Sequence, residues 1–314
     1  RELSQSSHAM FAAANPETWW AAREETHNEN APIEPVRLSS TRINDIEDCA
    51  AKWFLTREAR ATNTRASHML FGSALHAIAQ AIAEGQLASD IAQIDEHLDR
   101  IWPGMGYVIK WEAEAERSQA HNASVRLLGW LAEHAENGSI VESQLGLTTS
   151  IQIADSSGNA RNVEVSITGR ADRIEFAANG VTVYDFKTAQ KADKRSDVLA
   201  GIQLALYTLM IEQGTYEVGN ERKKLEPGEK VAGAALVYLR LDSSMGNGLP
   251  QEEFAEAGAH DRTNKKATVE QRIANAAQVI VNEEFATNPD TFKCGYCEVR
   301  FLCPAAPQGR QVLS

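Results

Sequence analysis

The spacing of apolar positions changes near residue 141. Before that point apolar residues recur every three or four positions, as on one face of a helix. The stretch L-S-S-T-R-I-N-D-I-E-D-C-A-A-K-W-F-L (38–55) predicts a helix capped by Ser39, Ser40 or Thr41, with Ile43, Ile46 and Ala50 on one face. S-H-M-L-F-G-S-A-L-H-A-I-A-Q-A-I-A-E-G predicts another, closed by Gly85. Two or three more helical segments reach about residue 138, R-L-L-G-W-L-A-E-H among them. Residues 1–35 are polar and predict an irregular segment with room for one short helix.

From 141 the period becomes two. V-E-S-Q-L-G-L-T-T-S-I-Q-I, V-E-V-S-I-T-G-R-A-D-R-I-E-F and V-T-V-Y-D-F-K read as three consecutive strands, separated by the turns D-S-S-G-N and A-N-G. A helix over 197–214, a strand A-A-L-V-Y-L-R-L and a long helix over about 267–285 follow. The order predicts an α/β core with a helical cap.

Composition narrows the class. Hydrophobic residues make up 43% and charged residues 24% of 314, the balance of a soluble globular chain. No apolar run approaches the roughly 20 residues of a membrane span, and the N-terminus carries no secretion-signal pattern. The chain opens on Arg1, which reads as a fragment of a longer polypeptide or a processed terminus. A net charge of −12 argues against a protein that coats nucleic acid. It leaves room for a nuclease, whose metal-holding carboxylates are themselves acidic.

The informative residues lie on the second and third strands. Asp185 and Lys187 are two positions apart and share a strand face. If these strands pair through the turn at 177–180, Asp172 comes beside them. Val181, Val183, Tyr184 and Phe186 make the third strand apolar on both faces, a poor setting for an idle charge. Two carboxylates can hold Mg²⁺ or Mn²⁺ against a phosphodiester, and a lysine can stabilise developing charge. Gln203 and Tyr207 share a helix face. His76, on an otherwise Ala, Ile and Leu helix, suits a third ligand. Cys49 and the run Cys294, Cys297 and Cys303 read as a metal or cluster site rather than two disulfides.

Four motifs in order, G-S-A-L-H, G-R-A-D-R-I-E, Y-D-F-K-T and Q-L-A-L-Y, resemble the RecB-type nuclease branch of the PD-(D/E)xK superfamily. The resemblance implies a restriction-endonuclease-like mixed sheet core with flanking helices. It also implies a metal held by His76, Asp172 and Asp185, a site completed by Lys187, and support or DNA contact from Gln203 and Tyr207. Glu142 is carried over as a further acidic residue. C-A-A-K-W-F-L and C-G-Y-C-E-V-R-F-L-C-P resemble the layout by which some members hold a [4Fe–4S] cluster on Cys49, Cys294, Cys297 and Cys303; residue type alone equally admits Zn²⁺.

The closing P-A-A-P-Q-G-R-Q-V is similar to helicase–nuclease subunits of the AddAB and AdnAB type, above all actinobacterial AdnAB. That implies a UvrD-like motor upstream in the same polypeptide, a second helicase–nuclease subunit and a cytoplasmic role in processing DNA ends. A free-standing CRISPR-associated exonuclease with the same cluster is the near alternative, and a non-catalytic DNA-binding scaffold the contrasting one. The expected layout is a segment over 1–35, a helical portion over 36–140, a nuclease core over 141–245 and a C-terminal helix with the cysteine run over 246–314. Expected DNA contacts are Arg170, Arg173, Lys191, Lys194 and Arg195, with Arg57, Arg60 and Arg65 as a second patch and Trp19 and Trp20 as stacking candidates.

Overall fold

A computed structural model describes residues 35–61, 68–154, 158–290 and 292–307. The expectations for the N-terminal segment, for Trp19, Trp20 and Arg65, and for the last seven residues lie outside the described residues. Among the described residues eight strands form one mixed sheet in the order β6-β5-β2-β3-β4-β7-β8, with β1 pairing β3 in parallel. The strands are β1 (Val36–Leu38), β2 (Gly138–Ala154), β3 (Ala160–Ala177), β4 (Gly180–Lys187), β5 (Thr215–Val218), β6 (Glu221–Lys223), β7 (Val231–Asp242) and β8 (Pro250–Glu256). The meander β2-β3-β4 is the expected one, and β4 then pairs β7 in parallel.

Helices cover both faces. On one side α1 (Ser40–Trp53), α6 (Ile202–Gln213) and α8 (Val269–Val281) bury Ile43, Ile46, Leu206, Met210 and Ile273 against Leu145, Ile167 and Val183. On the other, α2 (His68–Ala83), α3 (Ile91–Ile101) and α4 (Lys110–Glu133) bury Leu75, Leu98 and Leu127 against Tyr184, Phe186 and Val237. This restriction-endonuclease-like layering matches the expected fold class. Ser39 is the N-cap of α1, its hydroxyl accepting the Arg42 N–H at 3.2 Å. Thr268 and Gln271 close a capping box on α8.

Four strands lay outside the sequence reading. β1 and β6 have three residues each and β5 has four, too short to establish a period. β8 reads P-Q-E-E-F-A-E, a charged sheet-edge sequence without the expected alternation. The single helix expected over 197–214 is two, α5 (Arg195–Ala200) and α6, because Gly201 is extended between them.

β2 and β3 each change face partway along. On β2, Ile140 packs into the α6-side core, and so do Leu145, Leu147 and Ile153; even numbers give way to odd. On β3, Val163, Val165 and Ile167 precede Ile174 and Phe176 on that same side. Strict alternation forbids this unless each strand slips phase once. The slip lies at Glu142, whose φ of 50° is left-handed, and at Asp172 opposite it. Register is kept across the gap, Val141 pairing Arg173 and Ser143 pairing Ala171. Backbone strain of this sort concentrates at functional sites.

Beyond the slip, Arg173 and Glu175 point towards α4. Glu175 is 2% exposed and accepts from His134 Nδ1 at 2.8 Å, Asn137 Nδ2 at 3.0 Å and Arg173 Nε at 2.5 Å. The Arg173 guanidinium lies 5.7 Å from the Trp130 ring centroid. Burial pushes the Glu175 pKa up, but these hydrogen bonds and the Arg173 charge together hold it below the ordinary 4.5. Its contribution is therefore complete at neutral pH and is lost as pH falls through that lowered value. Glu175→Ala would leave Arg173 buried without its anion, a loss of about 3 kcal/mol at pH 7 by urea unfolding. The difference from wild type should shrink in the same measurement carried into acid.

Candidate active site

The β3–β4 ladder runs from Ala177–Gly180 to Arg173–Tyr184 and stops. At the next step Phe186 N–H donates to Asp172 Oδ2 at 2.6 Å instead of to a strand carbonyl. The carboxylate thus ends the ladder, and the two strands part around it. Helices from both faces reach into the opening. From α2, His76 Nδ1 lies 3.0 Å from Asp172 Oδ1. From α6, on the opposite face, come Gln203 and Tyr207.

Asp185 is 7% exposed and fully engaged. Its Oδ2 pairs with Lys187 Nζ at 2.7 Å; its Oδ1 accepts from Gln203 Nε2 at 2.8 Å and faces the Tyr207 hydroxyl at 3.0 Å. Lys187 Nζ also donates to Gln203 Oε1 at 3.1 Å. The single Tyr207 proton has two acceptors, Asp185 and the Arg170 carbonyl, the latter also at 3.0 Å. α6 side chains pack closely over Gly169: a Cβ there would meet the Met210 terminal methyl at 2.7 Å and the Tyr207 ring at 3.2 Å.

Glu142 completes the group from β2. Its Oε2 lies 2.5 Å from Arg170 Nε. Among the described residues, His76, Glu142 and Asp172 are the one set of three His, Cys, Asp or Glu residues whose ligand atoms all lie within 4.8 Å of one another. The structure thus draws in Glu142, while the oxygens of Asp185 are directed at Lys187, Gln203 and Tyr207. One nitrogen and two carboxylates fit a hard divalent ion such as Mg²⁺ or Mn²⁺. The 3.0 Å between His76 and Asp172 also equals the gap of about 3.0 Å between neighbouring ligands of an octahedral ion with bonds near 2.1 Å.

The electrostatics agree with a site built for a cation. Burial pushes the Asp185 pKa up; the Lys187 charge opposes this and the Asp172 charge adds to it, leaving it raised. Glu142 is raised by burial and by Asp172 against the pull of Arg170. For His76, burial disfavours the imidazolium, but the hydrogen bond and charge of Asp172, with Asp185 and Glu142 behind, hold its pKa above 6.5. Carboxylates that resist ionising together are relieved by a positive ion.

The expected DNA contacts divide. Arg170, Lys191, Lys194 and Arg195 are exposed, Arg195 pairing with Glu253 at 3.3 Å. Arg173 corrects the expectation: it is 6% exposed and committed to Glu175 and Trp130, so it has no surface to offer a phosphate. The phase slip puts residue 173 on the side covered by α4, where Glu175 and Trp130 enclose it. Arg57 and Arg60 are exposed, Arg57 pairing with Asp45.

The cysteines lie elsewhere. α1 breaks at Cys49, whose φ of −166° and ψ of 105° are extended. Just after the break, Ala51 N–H donates to the Ala286 carbonyl at 3.1 Å, Asn288 Nδ2 donates to the Asp48 carbonyl at 2.9 Å, and Lys293 pairs with Asp48. These contacts bring the C-terminal segment against α1. Cys49, Cys294, Cys297 and Cys303 all line one hollow of about 540 Å³, and the Asp290 N–H points at Cys294 Sγ at 3.3 Å.

Tyr207→Phe should leave the fold intact and raise Asp185 mobility. The expected cost to any metal-dependent activity is about tenfold, or about 1.4 kcal/mol. Gly169→Ala, whose Cβ would press on the Met210 terminal methyl and the Tyr207 ring, should lower the same rate by displacing Tyr207.

No curated protein matches the chain. Among solved structures, one titled "Crystal structure of SSO0001" covers 88% of this chain and 90% of its own, at 14% identity and a TM-score of 0.36, a likeness too slight to establish more. The family profile described as the PD-(D/E)XK nuclease superfamily, whose members are typically metal-dependent nucleases, matches residues 37–304. With that match spanning β1 to the last cysteine, the chain belongs to the PD-(D/E)XK nuclease superfamily.

Proposed function

We propose that this chain is a Mg²⁺- or Mn²⁺-dependent deoxyribonuclease that hydrolyses phosphodiesters in single-stranded DNA. The observation that carries the reading is the meeting of His76, Glu142 and Asp172 beside the Asp185–Lys187–Gln203–Tyr207 network at the parted ladder. His76, Asp172 and Asp185, with Glu142, would hold the ion. A bound divalent ion polarises the phosphate and makes water more acidic.

The chain's own groups supply the rest. An ammonium has three N–H donors, and among the described residues two of Lys187's are taken by Asp185 and Gln203. The third is left for a phosphate oxygen, where positive charge counts most as negative charge builds. Gln203 and Tyr207 hold Asp185 and so fix Lys187. The raised pKa of Tyr207, due first to burial and then to Asp185, keeps its hydroxyl a neutral donor. Arg170, exposed beside Glu142, would meet a neighbouring phosphate.

The four cysteines are proposed to hold a [4Fe–4S] cluster with a structural role. Zinc bound to four thiolates at about 2.3 Å needs sulfurs about 3.8 Å apart. Among the described residues no three cysteine sulfurs come within 4.8 Å of one another, although all four face one hollow. What favours the cluster over zinc is the resemblance of the cysteine layout to that of cluster-bearing members of the superfamily. A tie between positions 49 and 294 closes a loop of 245 residues around the core, the kind of closure that constrains an unfolded chain strongly.

The motif order and the cysteine layout support a wider setting: a domain of a helicase–nuclease that processes DNA double-strand ends for recombinational repair. In that setting a UvrD-like motor lies in the same polypeptide, a second helicase–nuclease subunit is the partner, and the cytoplasm is the location. Among the described residues no helix is long and apolar enough to cross a membrane.

With Mg²⁺ or Mn²⁺ and a labelled single strand, Lys187→Ala should slow cleavage about 10²–10³-fold and Asp185→Ala at least as much. Cleavage by Asp185→Ala at the wild-type rate would refute the assignment. Iron and acid-labile sulfide analysis on anaerobically purified protein should find about four irons per chain; a colourless zinc protein would replace the cluster with a zinc clasp.

A further inference from the structure

The phase slip has a consequence beyond the metal site. Past Asp172 and Glu142, the odd-numbered residues of β2 and β3 enter the α6-side core, so the even-numbered ones face the side from which His76 reaches in. There α2, α3 and α4 pack on β4 and β7, and among the described residues the neighbouring half of the sheet stays uncovered. Its central positions are Gln144, Gly146 and Thr148 on β2 and Ser166, Thr168 and Arg170 on β3, all exposed or half-buried and none apolar.

The ladder register orders these residues into rows. Arg37, Ser166 and Thr148 stand side by side. Next come Thr168, Gly146 and Thr215, then Arg170 with Gln144; Glu142 and Asp172 lie in the gap between the Ser143–Ala171 and Val141–Arg173 pairs. Cations flank the floor on both sides. Arg37, Arg42 and Arg57 line a hollow of about 450 Å³ with Thr168, and Arg222 and Lys224 line one of about 410 Å³ with Thr148, Ser166 and Thr168. Three of these cations are paired with acids, Arg222 with Glu217, Arg42 with Glu58 and Arg57 with Asp45, and Glu164 stands at the far end. A cationic, hydroxyl-rich strip on a body of charge −12 therefore leads straight to the carboxylate site.

We propose that this open face of the β2–β3 ribbon is the track along which one extended DNA strand lies as it enters or leaves the active site. The inference rests on the nuclease reading and adds the path. A protein partner would call for apolar or aromatic residues at the centre of the patch; serine, threonine, glutamine and arginine are instead phosphate donors. Same-face rows repeat every two residues, about 6.7 Å. That is twice the 3.4 Å advance per phosphate along one strand of a duplex, so it fits a stretched, unstacked strand. The track ends at Arg170, two residues short of Asp172, without any turn of the chain between them.

The test uses the full chain carrying Arg37→Ala with Lys224→Ala, and separately Thr168→Glu, which adds a charge to the floor and leaves both rims intact. Affinity for a long fluorescent oligodeoxythymidylate is measured against salt without divalent metal, and cleavage of long and very short strands is measured with it. The double variant should bind the long strand about tenfold more weakly. Its salt slope should fall by about 1.4, at about 0.7 for each phosphate that is no longer neutralised. Cleavage of a strand of a few nucleotides should be unchanged, while KM for the long strand rises at constant kcat. Thr168→Glu should weaken long-strand binding likewise.

Unchanged affinity and slope in both variants, with wild-type cleavage intact, would overturn the track and leave the nuclease standing. An equal loss for duplex DNA, or a loss shared by the shortest strands, would also overturn it. A wild-type protein that cuts no DNA with either metal would instead overturn the reading on which the track rests.

Discussion

One hydrogen bond organises the molecule: the Phe186 N–H bonds to the Asp172 carboxylate, not to a neighbouring strand. A sheet gains by continuing its ladder, so stopping one in a core requires a substitute acceptor. Asp172 provides it, and the strands then part far enough for side chains from helices on opposite faces to meet. His76 arrives from α2 and the Gln203–Tyr207 pair from α6. The slip at Glu142 and Asp172 is the counterpart on the other side of β3, turning both carboxylates to one place. These departures from regular β structure carry a local cost in strain. The buried ion pair of Arg173 and Glu175 and the apolar layers on both faces offset it.

Much of the site was legible beforehand. Asp185 and Lys187 are two apart on a strand rich in apolar residues, so their shared face and the burial of Asp185 followed from the pattern. Gln203 and Tyr207, four apart on a helix, followed equally. The hairpin at 177–180 formed where the turn residues placed it. What alternation could not convey is where it fails. A left-handed Glu142 has no local signature, since left-handed non-glycine residues are imposed by their surroundings. Extending the regular pattern through it would carry Arg173 into the α6-side core with Ile167 and Ala171, whereas the slip puts it on the α4 side beside Glu175 and Trp130. β1, β5 and β6 were missed for another reason: three or four residues acquire strand character only from the partners they pair with.

The cysteine hollow and the carboxylate site depend on the core in different ways. The carboxylates are fixed by strands at the centre of the sheet, among side chains with almost no exposure. The hollow is assembled from one broken helix and one irregular C-terminal segment, joined by a few polar contacts and by the stacking of Phe285 on Phe54. Its coherence rests on what the four thiols bind. On the proposed reading the cluster serves as an external tie, and the chemistry takes place on a scaffold that does not need it for its geometry.

The central claim is that the interrupted ladder is a metal site. Its most direct test is a crystal of the protein grown with Mn²⁺ and measured for anomalous scattering at the manganese edge. The account predicts one strong manganese peak within bonding distance of His76 and Asp172, with Glu142 or Asp185 at its side. A map with no peak there, or with manganese only at surface acids, would contradict it.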